Sequence, residues 1–215
     1  MRSHLPPLPQ AVLARRRSST AGYTLVEMLV VVGIVLSLFA VASSGFRKTW
    51  ESQELRASAM QLATNLALAS QTSIKLGKPV QVRFYRYQSA EVATEKPQFH
   101  SYQLLVRDPL TNLALPLHEM QRFESTTIMS SFERFSSIAS KPVKAEKFDP
   151  NLTVGEYEYV SVEFRPNGRT NLDPAALQPW TITLIPVTWA DRIGETPKDF
   201  QTLSIEPGTG AVRMW

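Results

Sequence analysis

The only carboxylate in the longest apolar run of this sequence is that of Glu27, near the start of residues 21–42. An apolar run of about 18 residues or more is long enough to cross a bilayer as a helix. A charged side chain at the bilayer centre costs about 2.5–3.5 kcal/mol on insertion scales, so such residues are usually paired and functional. Some interaction must offset that cost, and Glu27 is therefore the first candidate for a functional residue.

No group of residues forms a recognisable catalytic constellation. The histidines are His4, His100 and His118, and the pair His118-Glu119 has no second histidine four residues on to complete a metal motif. The sequence contains no Cys, which excludes disulfides, catalytic thiols and thiolate metal sites. It also lacks a G-x-S-x-G, a P-loop and a dinucleotide fingerprint. We therefore predict that the chain is not an enzyme and binds no cofactor.

Three carboxylates spaced four residues apart, those of Asp191, Glu195 and Asp199, are the pattern that could offer oxygen ligands to calcium. Arg192 and Lys198 lie among them, and their positive charges oppose the binding of a cation. The sequence therefore predicts no metal site.

A candidate nucleic-acid face lies on an alternating segment, residues 80–87. Arg83, Tyr85 and Tyr87 fall on one face of it, a basic and aromatic mixture that can stack against bases. Arg169 and Arg213 could add phosphate contacts. The same residues also suit an ordinary exposed strand face or a subunit contact. The balanced charge of the domain favours those interpretations, so nucleic acid is not the partner we expect.

The net charge of +4 is concentrated in the first 22 residues. Arg2, Arg15, Arg16 and Arg17 lie there with no Asp or Glu, so the rest of the chain is balanced. By the positive-inside tendency, the cluster at 15–17 places the N-terminus in the cytoplasm. The pI near 9.4 is for the same reason poor evidence of nucleic-acid binding.

The apolar run and the stretch after it predict one long helix over residues 24–76. Beyond the run, apolar residues recur at spacings of three and four, which places them on one helix face. They are Leu55, Ala59, Leu62, Leu66 and Ala69, with Met60, Ala63, Ala67 and Ile74 widening the stripe. Gly77 and Pro79 are typical of a helix end. We expect residues 23–46 to span the membrane and residues 47–76 to pack on a soluble domain.

The rest of the chain predicts β structure. Strands are expected at 80–87, 102–106, 125–129, 157–164, 180–187, 201–205 and 211–215, the last two joined in a hairpin. Residues 109–121 are expected to be irregular, 130–138 to form a short helix, and 141–151 to form a surface loop. The predicted fold class is α+β, with the long N-terminal helix packed on an antiparallel sheet of a β-rich domain over residues 77–215.

The segment Gly22-Tyr23-Thr24-Leu25-Val26-Glu27, followed by the apolar run, resembles the cleavage motif of type IV prepilins and type II secretion pseudopilins. The resemblance implies that a prepilin peptidase cuts between Gly22 and Tyr23 and methylates Tyr23, where the family usually has Phe. Residues 1–22 are then a cleaved cytoplasmic leader. The resemblance also gives Glu27 a role in assembly, because its carboxylate would pair with the free amine of a neighbouring subunit and fix the axial register.

The domain carries a further resemblance. Leu66-Ala67-Leu68-Ala69, the segment 162–168 and the closing segment 205–212 are similar to minor pseudopilins of the GspH/FimT type. Val82-Arg83-Phe84-Tyr85-Arg86-Tyr87 more narrowly resembles the pilin-like group called Verru_Chthon cassette protein D. These resemblances imply a pilin-like fold and a structural minor subunit of a type II secretion pseudopilus or type IV pilus-like filament.

The same resemblance implies partners and a location. The partners are the prepilin peptidase, other pilin or pseudopilin subunits through the N-terminal helix, and lipid of the bacterial inner membrane. The subunit would cross that membrane once, with its C-terminal domain in the periplasm, until it assembles into a filament.

Other interpretations of the same segments stay open. Ala40-Val41-Ala42 fits an A-x-A site for signal peptidase, which would release a secreted soluble β-domain after Ala42. A carboxylate such as Glu27 is not expected inside a signal peptide. The run could also be a plain single-span anchor, and the arginine cluster at 15–17 a twin-arginine signal. A DNA-binding minor pilin that serves DNA uptake is the remaining alternative.

Overall fold

The protein is described here from a computed structural model, which defines residues 22–89, 94–111, 113–146, 157–192 and 195–215. Within these ranges, the side chains of residues 41–48 and 146 lie outside the description. The chain divides into two compact units, Met1–Ser44 and Gly45–Trp215. The sheet and its core belong to the second unit.

The N-terminal helix α1 runs from Leu25 to Leu76, close to the predicted bounds of 24–76. It ends where Gly77 adopts a positive φ of 62° and donates its amide N–H to the carbonyl of Ile74. Glycine tolerates this left-handed C-terminal turn best because it has no Cβ. Among the described residues, no helix is both long enough and apolar enough to cross a membrane.

Ten strands in the described part of the chain form one antiparallel sheet. They are β1 (Val80–Tyr87), β2 (Gln98–Arg107), β3 (Ala114–Pro116), β4 (Gln121–Arg122), β5 (Thr127–Met129), β6 (Lys144–Glu146), β7 (Tyr157–Phe164), β8 (Trp180–Pro186), β9 (Gln201–Ile205) and β10 (Val212–Met214). Their order across the sheet is β10-β9-β8-β5-β2-β1-β7-β6, and β3 and β4 also pair with β2. The predicted α+β class with an antiparallel sheet is confirmed.

Strand β1 lies between two long partners. Val82 lies opposite Leu104 of β2 on one side and opposite Val162 of β7 on the other. A bulge between Tyr85 and Arg86 shifts the β1–β2 register by one residue. Because both edges of β1 are paired, neighbouring strands as well as the core bury its residues 80–85. Arg86 and Tyr87, at its end, are half-buried.

The core joins the second half of α1 to one face of the sheet. The predicted stripe is confirmed, since Leu55, Ala59, Leu62, Leu66 and Ala69 are all buried against strand residues. The strand residues include Val80, Val82 and Phe84 of β1, Leu104 of β2, Val162 of β7 and Leu203 of β9. The stripe is narrower than predicted, because Met60, Ala67 and Ile74 are exposed and only Ala63 packs partly against the core.

Three segments differ from their predicted structure. Residues 109–121 contain β3 and begin β4, and residues 141–151 contain β6, which pairs with β7. Residues 130–138 form turns that lead into a 3-10 helix at Ser137–Ser140, in place of the predicted helix. Strands of two or three residues are too short to show an alternating pattern, which explains why the sequence did not predict them.

Two turns meet beside the end of α1. Gly210, in the β9–β10 hairpin, has φ 65° and donates its N–H to the carbonyl of Glu206 at 2.8 Å. A Cβ on Gly210 would lie 2.9 Å from the carbonyl oxygen of Gly168 and 3.2 Å from both Phe164 Cδ1 and Ser70 Oγ. This position therefore requires glycine both for its backbone conformation and for the close approach of the second turn.

Candidate functional site

The candidate site with the clearest local geometry is the start of α1, where Thr24 and Glu27 bond to each other. The Thr24 amide N–H donates to Glu27 Oε2 at 3.0 Å, and the Glu27 amide N–H donates to Thr24 Oγ1 at 3.2 Å. The Thr24 hydroxyl also donates to Glu27 Oε2 at 3.1 Å. These reciprocal bonds are a capping box, in which residue N-cap and residue N3 satisfy two backbone donors that the helix itself leaves free.

The capping box could be predicted from the sequence, because Thr24-Leu25-Val26-Glu27 matches the pattern S/T-x-x-E that is typical of such helix starts. The structure gives the Glu27 carboxylate a partner within the same chain, Thr24. The predicted partner on another subunit stays a prediction. A Glu27 carboxylate held in this way also lies in the first turn, where the helix dipole favours negative charge.

The predicted cleavage position directly precedes this cap. Gly22 and Tyr23 lie before the first residue of α1, and the Tyr23 side chain is 77% exposed. Among the described residues, no atom beyond the chain neighbours lies within 4 Å of the position that a Cβ on Gly22 would occupy. Gly22 and Tyr23 are thus exposed and lie outside regular secondary structure.

Beyond the cap, large apolar side chains are exposed all around α1. They are Leu25, Val26, Met28, Leu29, Val30, Val31, Val32, Ile34, Val35, Leu36, Leu38 and Phe39. A helix that is apolar on every face is found buried in protein or lipid rather than in water. Within the part of the chain that the structure describes, these side chains are left exposed.

The structure buries the candidate nucleic-acid face. Arg83 is 7% exposed and Tyr85 is fully buried, while Tyr87 is half-buried. The guanidinium of Arg83 lies 4.6 Å from the ring centroid of Tyr159, and Tyr87 packs against His100 with centroids 5.2 Å apart. An exposed strand face is therefore wrong for Arg83 and Tyr85, and the buried ring of Tyr85 is not available to stack on bases in this conformation.

Hydrogen bonds among polar side chains explain how this face of β1 is buried. Arg83 Nε donates to Gln81 Oε1 at 2.9 Å, and the Tyr85 hydroxyl donates to Gln103 Oε1 at 3.2 Å. Gln103 Nε2 in turn donates to the carbonyl of His118 at 3.1 Å. Each of these buried polar groups has a partner, as burial requires.

Arg169 and Arg213, the predicted phosphate contacts, are exposed.

The remaining candidate residues do not converge. Within the described ranges, no three His, Cys, Asp or Glu side chains lie close enough to hold a metal ion. Asp191 Oδ2 accepts the amide N–H of Glu95 at 3.2 Å, and Glu195 lies 3.8 Å from the guanidinium of Arg192. The calcium pattern of the sequence is therefore divided between separate local contacts.

Comparison with known proteins gave one structural likeness. No family model matches the chain, and no curated protein matches it. Among solved structures, the chain is similar to the minor pseudopilin EpsH from the Type 2 Secretion System of Vibrio cholerae. The match has 12% identity and a TM-score of 0.39, and it covers 75% of this chain and 96% of that chain.

Proposed function

We propose that this chain is a structural minor subunit of a type II secretion pseudopilus or a type IV pilus-like filament. A prepilin peptidase would cut between Gly22 and Tyr23 and methylate the new amine of Tyr23. The observation that carries the proposal is the start of α1. There an exposed Gly-Tyr bond precedes a helix whose described residues up to Phe39 carry one charge, that of Glu27, amid apolar side chains exposed on every face.

The proposed role of Glu27 follows from what cleavage creates. A free amine at Tyr23 would be a cation at the base of an apolar helix, and the Glu27 carboxylate of another subunit is a matching anion. When helices pack together in a filament and exclude water, a lone carboxylate is strongly unfavourable, whereas a carboxylate with a cationic partner is tolerated. The capping box supports this role, because it holds the carboxylate in a defined position before assembly.

The exposed apolar residues of α1 define the other proposed partners. Lipid of the bacterial inner membrane would cover them before assembly, with the domain in the periplasm, and the helices of other subunits would cover them afterwards. Removing these twelve large apolar side chains from water strongly favours a covered state over an exposed one, since each contributes about 1.5–3 kcal/mol when it leaves water. No catalytic role is part of this proposal.

A set of three variants separates the proposed assembly role of Glu27 from its role in the cap. Glu27→Gln keeps a side chain that can complete a capping box but removes the negative charge. Thr24→Ala is the matched control, because it removes the Thr24 hydroxyl from the capping box and leaves the charge in place. Glu27→Leu removes the charge together with the carboxylate half of the capping box, while Thr24 Oγ1 can still accept the N–H of residue 27.

Filament incorporation is measured by shearing cells and quantifying the subunit in the released fraction. We expect Thr24→Ala to assemble at close to the wild-type level, since a lost cap costs only about 1 kcal/mol. Glu27→Gln and Glu27→Leu should both be processed but fail to assemble. If Glu27→Gln assembles normally while Thr24→Ala does not, Glu27 acts only as a helix cap and the charge pairing is refuted.

A fourth variant tests the processing step by itself. Gly22→Leu should keep its leader and retain the mass of the precursor, while Gly33→Leu, the matched glycine within α1, should be processed like the wild type. Loss of the leader from Gly22→Leu would contradict cleavage by a prepilin peptidase.

A further inference from the structure

The last strand of the sheet, β10, has one open edge. The strand order places β10 at one end of the sheet, so only β9 pairs with it among the described strands. Natural proteins usually protect such an edge with prolines, bulges, charged side chains or very short edge strands, because unpaired backbone groups readily accept another strand. Here β10 is three residues long, Val212-Arg213-Met214, and contains one charge but no proline and no bulge.

The pairing with β9 shows which backbone groups are open. The Glu206 N–H donates to the Ala211 carbonyl, and the Trp215 N–H donates to the Thr202 carbonyl, each at 2.9 Å. Bonded residues alternate along an antiparallel ladder, so Arg213 also bonds to β9 through its backbone. The backbone N–H and C=O groups of Val212 and Met214 therefore point away from β9. Each of these two residues can form a hydrogen-bonded pair, here called an open rung, with a residue of an added strand.

The side chains beside this edge are open as well. Arg213 is exposed and forms no ion pair with any described residue. Met214 and Trp215 are 39% and 74% exposed. Ser204, Arg213 and Trp215 line a shallow groove of about 230 Å³ at the same end of the sheet, and the carboxylates of Asp173 and Glu206 line it too. Arg213 is the basic side chain of this groove and lies directly on the open strand.

We propose that β10 is a docking strand for an extended segment of a partner protein, which adds to the sheet in antiparallel orientation and carries an apolar–acidic–apolar triplet. In such a pairing the two apolar residues lie opposite Val212 and Met214, on the face that holds Ile205 and Leu203 of β9. The acidic residue lies opposite Arg213, on the face of the groove. Main-chain bonds then provide affinity, and the alternating side chains provide specificity.

The charge of Arg213 argues for a different protein rather than a second copy of this chain. If two copies paired through both open rungs in a two-fold arrangement, Arg213 would lie directly opposite the same arginine of the second copy. Like charges directly opposite each other destabilise a strand pair, whereas opposite charges stabilise it. This inference does not depend on the proposed pilin role, because it uses only the sheet of the second unit.

The test is an NMR titration of the full-length, ¹⁵N-labelled chain in detergent micelles, which reports binding even at millimolar dissociation constants. The two probes are capped pentapeptides, Thr-Val-Glu-Val-Thr and its matched counterpart Thr-Val-Lys-Val-Thr. We expect the glutamate peptide to shift the amide resonances of β10 and to slow hydrogen exchange at Val212 and Met214. The lysine peptide should bind about fivefold more weakly.

Two variants make the test decisive. Arg213→Glu should reverse the preference so that the lysine peptide binds better, while Arg56→Glu, an exposed arginine of α1, should leave it unchanged. Equal binding of both peptides to the wild type, or shifts that map away from β10, would overturn the proposal. Slow exchange at Val212 and Met214 in the free protein that depends on protein concentration would also overturn it, because it would show pairing between copies.

Discussion

Replacing Gly210 with alanine tests how tightly the two turns beside the end of α1 are packed. The added Cβ meets a backbone carbonyl, that of Gly168, at 2.9 Å, and backbone cannot swing aside as a flexible side chain can. It also meets the Phe164 ring and the Ser70 hydroxyl at 3.2 Å. Gly168 and Ser70 belong to the β7–β8 turn and to α1, so a shift at this point disturbs three elements together.

Two separate costs contribute to the expected loss of stability. A non-glycine residue in the left-handed region, where Gly210 has φ 65°, costs about 1–2 kcal/mol. Overpacking of a close contact adds about 1–3 kcal/mol. The reduced entropy of the unfolded chain returns about 0.4–1 kcal/mol. We therefore expect Gly210→Ala to lower the free energy of unfolding by about 1–5 kcal/mol, with a central value of about 3 kcal/mol.

Gly77→Ala and Gly168→Ala are matched controls, because both glycines have positive φ, 62° and 79°, and a Cβ on either meets nothing within 4 Å. Each should cost only about 1 kcal/mol. Urea unfolding followed by tryptophan fluorescence suits the measurement, since every tryptophan lies in the second unit. If Gly210→Ala is no less stable than the two controls, the close packing of the turns is refuted.

Two further variants test the core. Leu66→Ala, at a fully buried position, should lower the free energy of unfolding by about 2–5 kcal/mol. Leu68→Ala, at a position that is 37% exposed, should lower it by less than about 1 kcal/mol. Equal urea midpoints for the two variants would contradict the assigned helix face. Burial raises the pKa of the Tyr102 phenol, an effect that a hydrogen bond from Asn65 Nδ2 at 2.7 Å partly opposes. The folded state thus binds this proton more tightly, so the stability it contributes is present below about pH 10 and lost as the pH rises through the raised pKa. Tyr102→Phe should show a smaller loss of unfolding free energy between about pH 9 and 12 than the wild type, and an unchanged loss would contradict the burial of that phenol.

The sequence predicted the features that show as periodic spacing of apolar residues, namely the buried faces of α1 and β1. The spacing of Leu55, Leu62 and Leu66 correctly identified the face of α1 that packs on the sheet, and the alternation of Val80, Val82 and Phe84 identified the inner face of β1. Both patterns span several turns or residues of one element. Neither depends on which elements become neighbours.

The opposite face of β1 could not be predicted in the same way. Arg83 and Tyr85 are residue types usually found at surfaces, and their burial depends on Tyr159 and Gln103, which approach only when β7 and β2 pair with β1. Strands β3, β4 and β6 likewise exist because a long neighbouring strand offers them backbone bonds. Tertiary pairing decides such features, and local residue patterns do not record it.

The start of α1 shows a different kind of omission. The capping pair Thr24 and Glu27 is a local pattern that the sequence displays in full. The pattern indicates a partner for Glu27 within the same chain, in addition to the partner predicted on another subunit. The two roles are compatible. Once water is excluded, the carboxylate can give up its hydrogen bonds to Thr24 and form a stronger, charge-assisted bond to the amine of another subunit.

The central claim is that the chain becomes a filament subunit by cleavage before Tyr23. The most direct test is the intact mass and N-terminal sequence of the protein purified from membranes. We predict a mature chain that begins at Tyr23, lacks residues 1–22 and carries one methyl group on its amine. A chain that begins at Ser43 would contradict the claim, because signal peptidase would then have removed Glu27 together with the whole apolar run.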